Sequence, residues 1–177
     1  TLPRSMTAPL DVIPWQPRIH LLIFIHHVEG LEPGLYLFLR DEQAKESFKQ
    51  SLNSDFKWTK VSSCPPHLAL YQLLSGDARN AAKTLSCHQD IASDGVFSLA
   101  MLAEYGEKLD ENPWQYRQYF WEAGLIGQIL YLEAESVGLR STGIGCYFDD
   151  AVHELFGLKG DKFQSLYHFT IGKPLDD

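Results

Sequence analysis

The chain has 177 residues, 45% of them apolar and 12% aromatic, which is enough for one domain with a buried core and short for two. Its formal net charge of -8, from 23 acidic against 15 basic residues, comes with no run or stripe of Lys and Arg and argues against a nucleic-acid partner. The longest apolar run, Leu21 to Ile25, is closed by His26 and His27 and is far too short for a membrane span; the N-terminus carries no signal pattern.

In chain order, Pro3, Pro9, Pro14 and Pro17 make residues 1–17 an extended lead-in, because proline lacks an N–H and fixes φ. Ile19 to Val28 is apolar on both pleat faces and predicts a strand covered on both sides. A turn at Gly30–Gly34 leads to a second apolar strand, Leu35 to Leu39. Asp41 caps a predicted helix to Leu52, with Ala44, Phe48 and Leu52 at helical spacing. Leu68 to Leu74 is an apolar segment whose state periodicity leaves open. Asp77 opens a helix predicted from Ala78 to Ile91, and Val96 to Leu102 reads as a strand.

After Pro113 comes the clearest element. Tyr119, Ala123, Ile126, Leu130, Ala134 and Val137 recur at steps of three or four and predict one long helix with an apolar stripe. Gly138 is placed to cap it. Gly124 and Gly127 inside this helix point to close approach by a backbone or a flat ligand. Ser141 to Cys146 (STGIGC) follows, then a short helix from Asp149-Asp150 to Phe156, and a last strand over Leu166 to Ile171. The pattern gives one mixed α+β domain.

Chemistry-bearing residues are sparse. Glycines at two positions of Gly143-Ile144-Gly145 let backbone amides approach a planar ring or an anion, although a bare GxG also marks turns. No dinucleotide fingerprint, phosphate loop or nucleophile elbow is present. His153-Glu154 lacks the second histidine of a metal-binding helix, since Gly157 stands there. His26 and His27 point to opposite faces of their strand. Cys64, Cys87 and Cys146 are odd in number and widely spaced, which predicts three packing thiols in a reducing cytoplasm rather than a disulfide framework or a zinc site. No acid, base or nucleophile is named by these residues. That pattern is compatible with a flavoprotein, where the cofactor carries the chemistry.

The segment from Trp121 to Pro174, with its GIG, FDD…HELFGL and SLYHFTIGKP pieces, resembles the second half of the nitroreductase fold. The EAGxxGQ pattern of Glu122 to Gln128, with VEGLEPGLY (Val28 to Tyr36) and QDIA (Gln89 to Ala92), is similar to the SagB-type, thiazole/oxazole dehydrogenase-like branch. The resemblance implies an α+β fold with a mixed central sheet, flanking helices and a long buried central helix. It further implies an FMN-dependent oxidoreductase that takes hydride from NAD(P)H or oxidises a substrate such as an azoline ring on a peptide. FMN would lie between two copies of the fold, in a homodimer or against a tandem nitroreductase-like domain. Gly143, Ile144, Gly145 and Cys146 would run beside the flavin ring. Gln16-Pro17 would lie near it, with Arg18 where the family has tryptophan.

Two departures follow. The family's RRS-like phosphate-binding segment has no counterpart before Gln16 except Arg4-Ser5, and Asp11 to Pro14 replaces the expected Ser or Asn cluster; an acidic group there repels phosphate. The expectation is therefore a domain over 18–177, incomplete at its N-terminus, as in one half of a tandem protein. The alternative is a degenerate, non-catalytic copy of the fold acting in dimerisation or as partner to another domain. A cofactor-free enzyme built on Cys87 or Cys146 would need a paired base that the sequence does not display.

Overall fold

The computed structural model describes residues 8–105 and 107–174; Arg4-Ser5 lies outside them. A seven-stranded sheet forms its spine: β1 (Ile19–Ile25), β2 (Gly34–Leu39), β3 (Thr59–Lys60), β4 (Ala69–Ser75), β5 (Phe97–Glu104), β6 (Arg140–Ile144) and β7 (Phe163–Gly172). The spatial order is β3-β4-β2-β1-β5-β7-β6. Every pairing is antiparallel, which narrows the expected mixed sheet. The segment left open by periodicity, Leu68 to Leu74, is settled as β4 because it pairs along β2 from Leu39↔Ala69 to Gly34↔Ser75.

The helices are α1 (Lys45–Ser51), α2 (Arg79–Leu85), α3 (Ile91–Asp94), α4 (Glu107–Glu111), α5 (Gln115–Ser136) and α6 (Asp149–Phe156). β1 is covered on both sides, as its two apolar faces require. Leu22 and Phe24 join the α1, α2 and α6 side through Phe48, Ala82, Leu85, Val152 and Phe156. Ile19 and Leu21 join Leu99, Met101 and Phe169 against Tyr119, Ala123 and Ile126 of α5. At 22 residues α5 is about 33 Å long, and one of its faces is buried rather than the whole helix. Val137, placed on the apolar stripe, is 68% exposed; it is the C-cap residue, just past the end of α5 at Ser136.

Three local expectations change. The lead-in contains a 3-10 turn at Leu10–Val12. The helix predicted from Ala78 to Ile91 is split into α2 and α3, because Cys87 and His88 take left-handed φ of 54° and 58°. The three thiols are not all free: Cys87 and Cys146 form a disulfide with their Cα atoms 5.9 Å apart, and Cys64 alone is reduced. A separation of 59 residues hid that pairing in the sequence. It forms because the segments after α2 and after β6 meet at one end of the sheet.

Candidate functional site

The Gln16–Arg18 segment is fixed by one carboxylate. Glu122 sits on the sheet-facing side of α5 and is fully buried. It accepts from the Trp15 indole N–H at 3.0 Å, the Arg18 amide at 3.1 Å and the Ile19 amide at 3.2 Å, and it pairs with the buried Arg40 guanidinium. A buried carboxylate persists only when paired and hydrogen-bonded, and here both oxygens are used. The sequence showed its signal: a charged residue between Tyr119 and Ile126 on an apolar stripe. Its role was missed because the partners come from two distant segments, residues 15–19 and Arg40.

Arg18 is half-buried, and its guanidinium donates to the side-chain oxygens of Gln115 and Gln118 and lies 5.7 Å from the Tyr119 ring centre. These partners are neutral, so its positive charge is not cancelled by them. Gln16 is exposed and Pro17 half-buried.

The GIGC segment divides residue by residue. Gly143 and Ile144 belong to β6 and pair with Phe169 and His168 of β7. A Cβ at Gly143 would overlap the Tyr167 hydroxyl, and its amide donates to the Tyr131 hydroxyl at 2.7 Å; packing explains this glycine. Ile144 points into the core at 3% exposure. At Gly145, by contrast, a Cβ would meet nothing within 4 Å, so nothing within the described chain requires glycine there. Cys146 is exposed and bridged to Cys87.

The chain beyond Gly145 is tied down. The Gln89 side-chain amide donates to the Cys146 carbonyl at 3.3 Å and the Ser86 carbonyl at 2.9 Å, and the Phe148 amide donates to the Leu85 carbonyl at 2.9 Å. Tyr147 stacks on His168 with ring centres 4.4 Å apart. His168 is engaged at both ring nitrogens, by the Ser86 and Ser165 hydroxyls at 3.1 Å each. Burial pulls its pKa down to about 3, so the ring is neutral. Burial also pushes the Tyr147 hydroxyl up to about 12 and raises the Asp149 carboxyl.

The two candidate segments lie toward the same end of the sheet. Ile19 pairs with Ala103 and Ile144 with His168, with β5 and β7 between β1 and β6; three interstrand steps are about 14 Å. No hydrogen bond described joins them. Clefts of about 400 Å³ beside His26, His27 and Asp77, and about 190 Å³ beside Gly30 and Lys60, contain none of these residues. Among the described residues no group of three or more His, Cys, Asp or Glu is placed to hold a metal, and no helix is long and apolar enough to cross a membrane.

Along α5, away from the sheet, Trp114, Trp121 and Leu132 are exposed, the latter two at 57% and 59%. Steps of seven and eleven residues put them on one side. Between them Gly124 has open space above its Cα.

The family model described as "Nitroreductase family" matches residues 25–173. No curated protein matches the sequence. Among solved structures, a candidate nitroreductase from Anabaena variabilis ATCC 29413 is 24% identical, with TM-score 0.68 over 89% of this chain and 27% of its own. One from Ralstonia eutropha JMP134 is 16% identical, with TM-score 0.59 over 91% of this chain and 60% of its own. A chain of the E. coli microcin synthetase McbBCD complex with truncated pro-MccB17 bound is 16% identical, with TM-score 0.61 over 90% of this chain and 53% of its own. The chain thus spans less than two thirds of each, and likeness at these identities shows the fold alone.

Proposed function

This chain belongs to the nitroreductase family, whose members generally catalyse flavin-dependent redox reactions, and from that premise we propose that residues 18–177 form an FMN-dependent oxidoreductase domain preceded by the 1–17 lead-in. The observation that carries the reading is Gly145, whose open side serves no packing need among the described residues and suits a flat ring lying against the backbone. The half-buried Arg18, whose guanidinium donates to the neutral side chains of Gln115 and Gln118, adds a cation suited to an anionic group of such a ligand. In these two respects the residues present fit the cofactor.

Bound there, FMN would supply two-electron hydride chemistry, with NAD(P)H as donor. The chain's own part is binding and orientation. Glu122 fixes the Gln16–Arg18 backbone from beneath, and Tyr131 fixes β6 at Gly143. Tyr147 stacked on neutral His168 gives the following turn an uncharged, rigid floor. Cys146 and Ile144 hold the ends of the open glycine in place rather than touching the ring through their side chains.

Of the candidate residues Gln16, Gly145 and Cys146 are exposed, and we infer that one chain offers them as a single wall. A second wall comes from a homodimer or a tandem nitroreductase-like domain, docked over the exposed Trp121 and Leu132 side of α5. The EAGxxGQ pattern supports placing the chain in the SagB-type branch, acting on a small-molecule or peptide substrate, and we place the protein in the cytoplasm.

The test is the visible absorption spectrum of the purified chain after FMN addition and desalting, compared with Gly145→Val. Retained flavin bands in the parent and at least roughly tenfold weaker binding in the variant, with the far-ultraviolet dichroism of both superimposable, are expected. A colourless parent protein would overturn the flavin reading; equal affinity in the variant would remove Gly145 from the site.

A further inference from the structure

We propose that the Cys87–Cys146 disulfide is a redox-operated tether on the turn that carries Gly145. It stands independently of the flavin reading, since it concerns only the chain's own loops. Cys87 lies in the break between α2 and α3, and Cys146 lies two residues beyond β6. The residue before Cys146 is the open glycine, so the bridge sits at the base of the candidate ring edge.

Three observations make this bridge a switch rather than a passive staple. First, Cys87 and the adjacent His88 both hold left-handed φ, 54° and 58°, a region that residues with a Cβ rarely occupy. The sequence pattern there continues a helix from Ala78 to Ile91, so the local preference is right-handed and opposes the bridged shape. Second, Tyr147 and Phe148 are held from elsewhere, by the His168 ring, the Ser165 carbonyl and the Leu85 carbonyl, and the described ties between residues 87–89 and the 145–148 turn are few. Gln89 reaches the Cys146 carbonyl at 3.3 Å, and that contact depends on the same bent segment. His88 meets Phe148 only edge-on, at 5.7 Å. Third, Cys146 is exposed and Cys87 half-buried, so an attacking thiolate reaches the bridge from solvent without unfolding.

The reaction balances with an external dithiol. Its thiolate attacks the Cys146 sulfur and Cys87 leaves as thiolate. The second thiol then closes the reagent's own disulfide and releases Cys146. Two electrons and two protons move from the dithiol to the protein, which gains two thiols. Freed, Cys87 and His88 relax toward right-handed backbone, Gln89 withdraws, and the Gly145-Cys146 end of the turn loses its tie to the α2–α3 break, while Tyr147 on His168 and Phe148 on Leu85 still hold the other end.

The experiment compares the full chain, oxidised in air and treated with dithiothreitol. A thiol count in denaturant should give one in the oxidised form, from Cys64, and three in the reduced form. Hydrogen exchange read by mass spectrometry should then rise by roughly tenfold or more in peptides covering 85–91 and 145–148, with peptides from β1 and β5 unchanged. Cys87→Ser/Cys146→Ser should exchange like the reduced form under both conditions. Three thiols in the oxidised sample, unchanged exchange on reduction, or lost protection throughout the sheet would each overturn the proposal. The last result would make the bridge a global staple.

Discussion

Glu122 shows how much one buried side chain carries. It neutralises Arg40 and holds the backbone of Arg18 and Ile19. Glu122→Gln keeps the shape but leaves the Arg40 cation buried without an opposite charge. The expected loss is about 3 kcal/mol, read from the urea midpoint; a shift equivalent to under about 0.5 kcal/mol would show that the pair adds no stability. The carboxylate itself was legible as a charge on the apolar stripe. Its partner was not, because Arg40 is 82 residues away and comes into range only when β2 pairs with β1. Gly143 and Gly145 make the same point. Sequence reading treats them alike, while Tyr167 packs against one and leaves the other open.

At the scale of the element, α5 has two faces with different fates. Tyr119, Ala123 and Ile126 are consumed by the sheet, whereas Trp121 and Leu132 face outward. Large apolar side chains aligned on an exposed helix face mark an interaction surface, and Gly124 lets a partner backbone come near. Sedimentation at micromolar concentration should show a dimer for the parent chain and a monomer for Trp121→Glu/Leu132→Glu. A parent chain that stays monomeric would leave the tandem-domain arrangement as the remaining way to cover this face. The helix was readable because its 22 residues carry the 3.6-residue period through about six turns. The break between α2 and α3 was not, since short-range periodicity registers neither a left-handed pair nor the bridge that accompanies it.

For the molecule as a whole, acid should act partly through His168, which links β7 to the segment after α2. Its folded pKa of about 3 lies below the ordinary 6.5, so the unfolded chain takes a proton first as pH falls. The stability it confers is complete above pH 6.5 and is lost between 6.5 and 3, by about 1.4 kcal/mol per pH unit. His168→Gln should show a shallower fall in urea midpoint between about pH 6.5 and 4.5; identical slopes would remove His168 as the cause. The sequence by itself determined the α+β class, β1, β2, α5 and the last strand, because apolar periodicity and glycine or proline punctuation are local signals set by the geometry of helix and strand. Tertiary structure alone decided the β3-to-β6 strand order, the Glu122–Arg40 pair, the Cys87–Cys146 bridge and which glycine stands open. Those depend on which distant segments become neighbours, and a spacing along the chain carries no record of that.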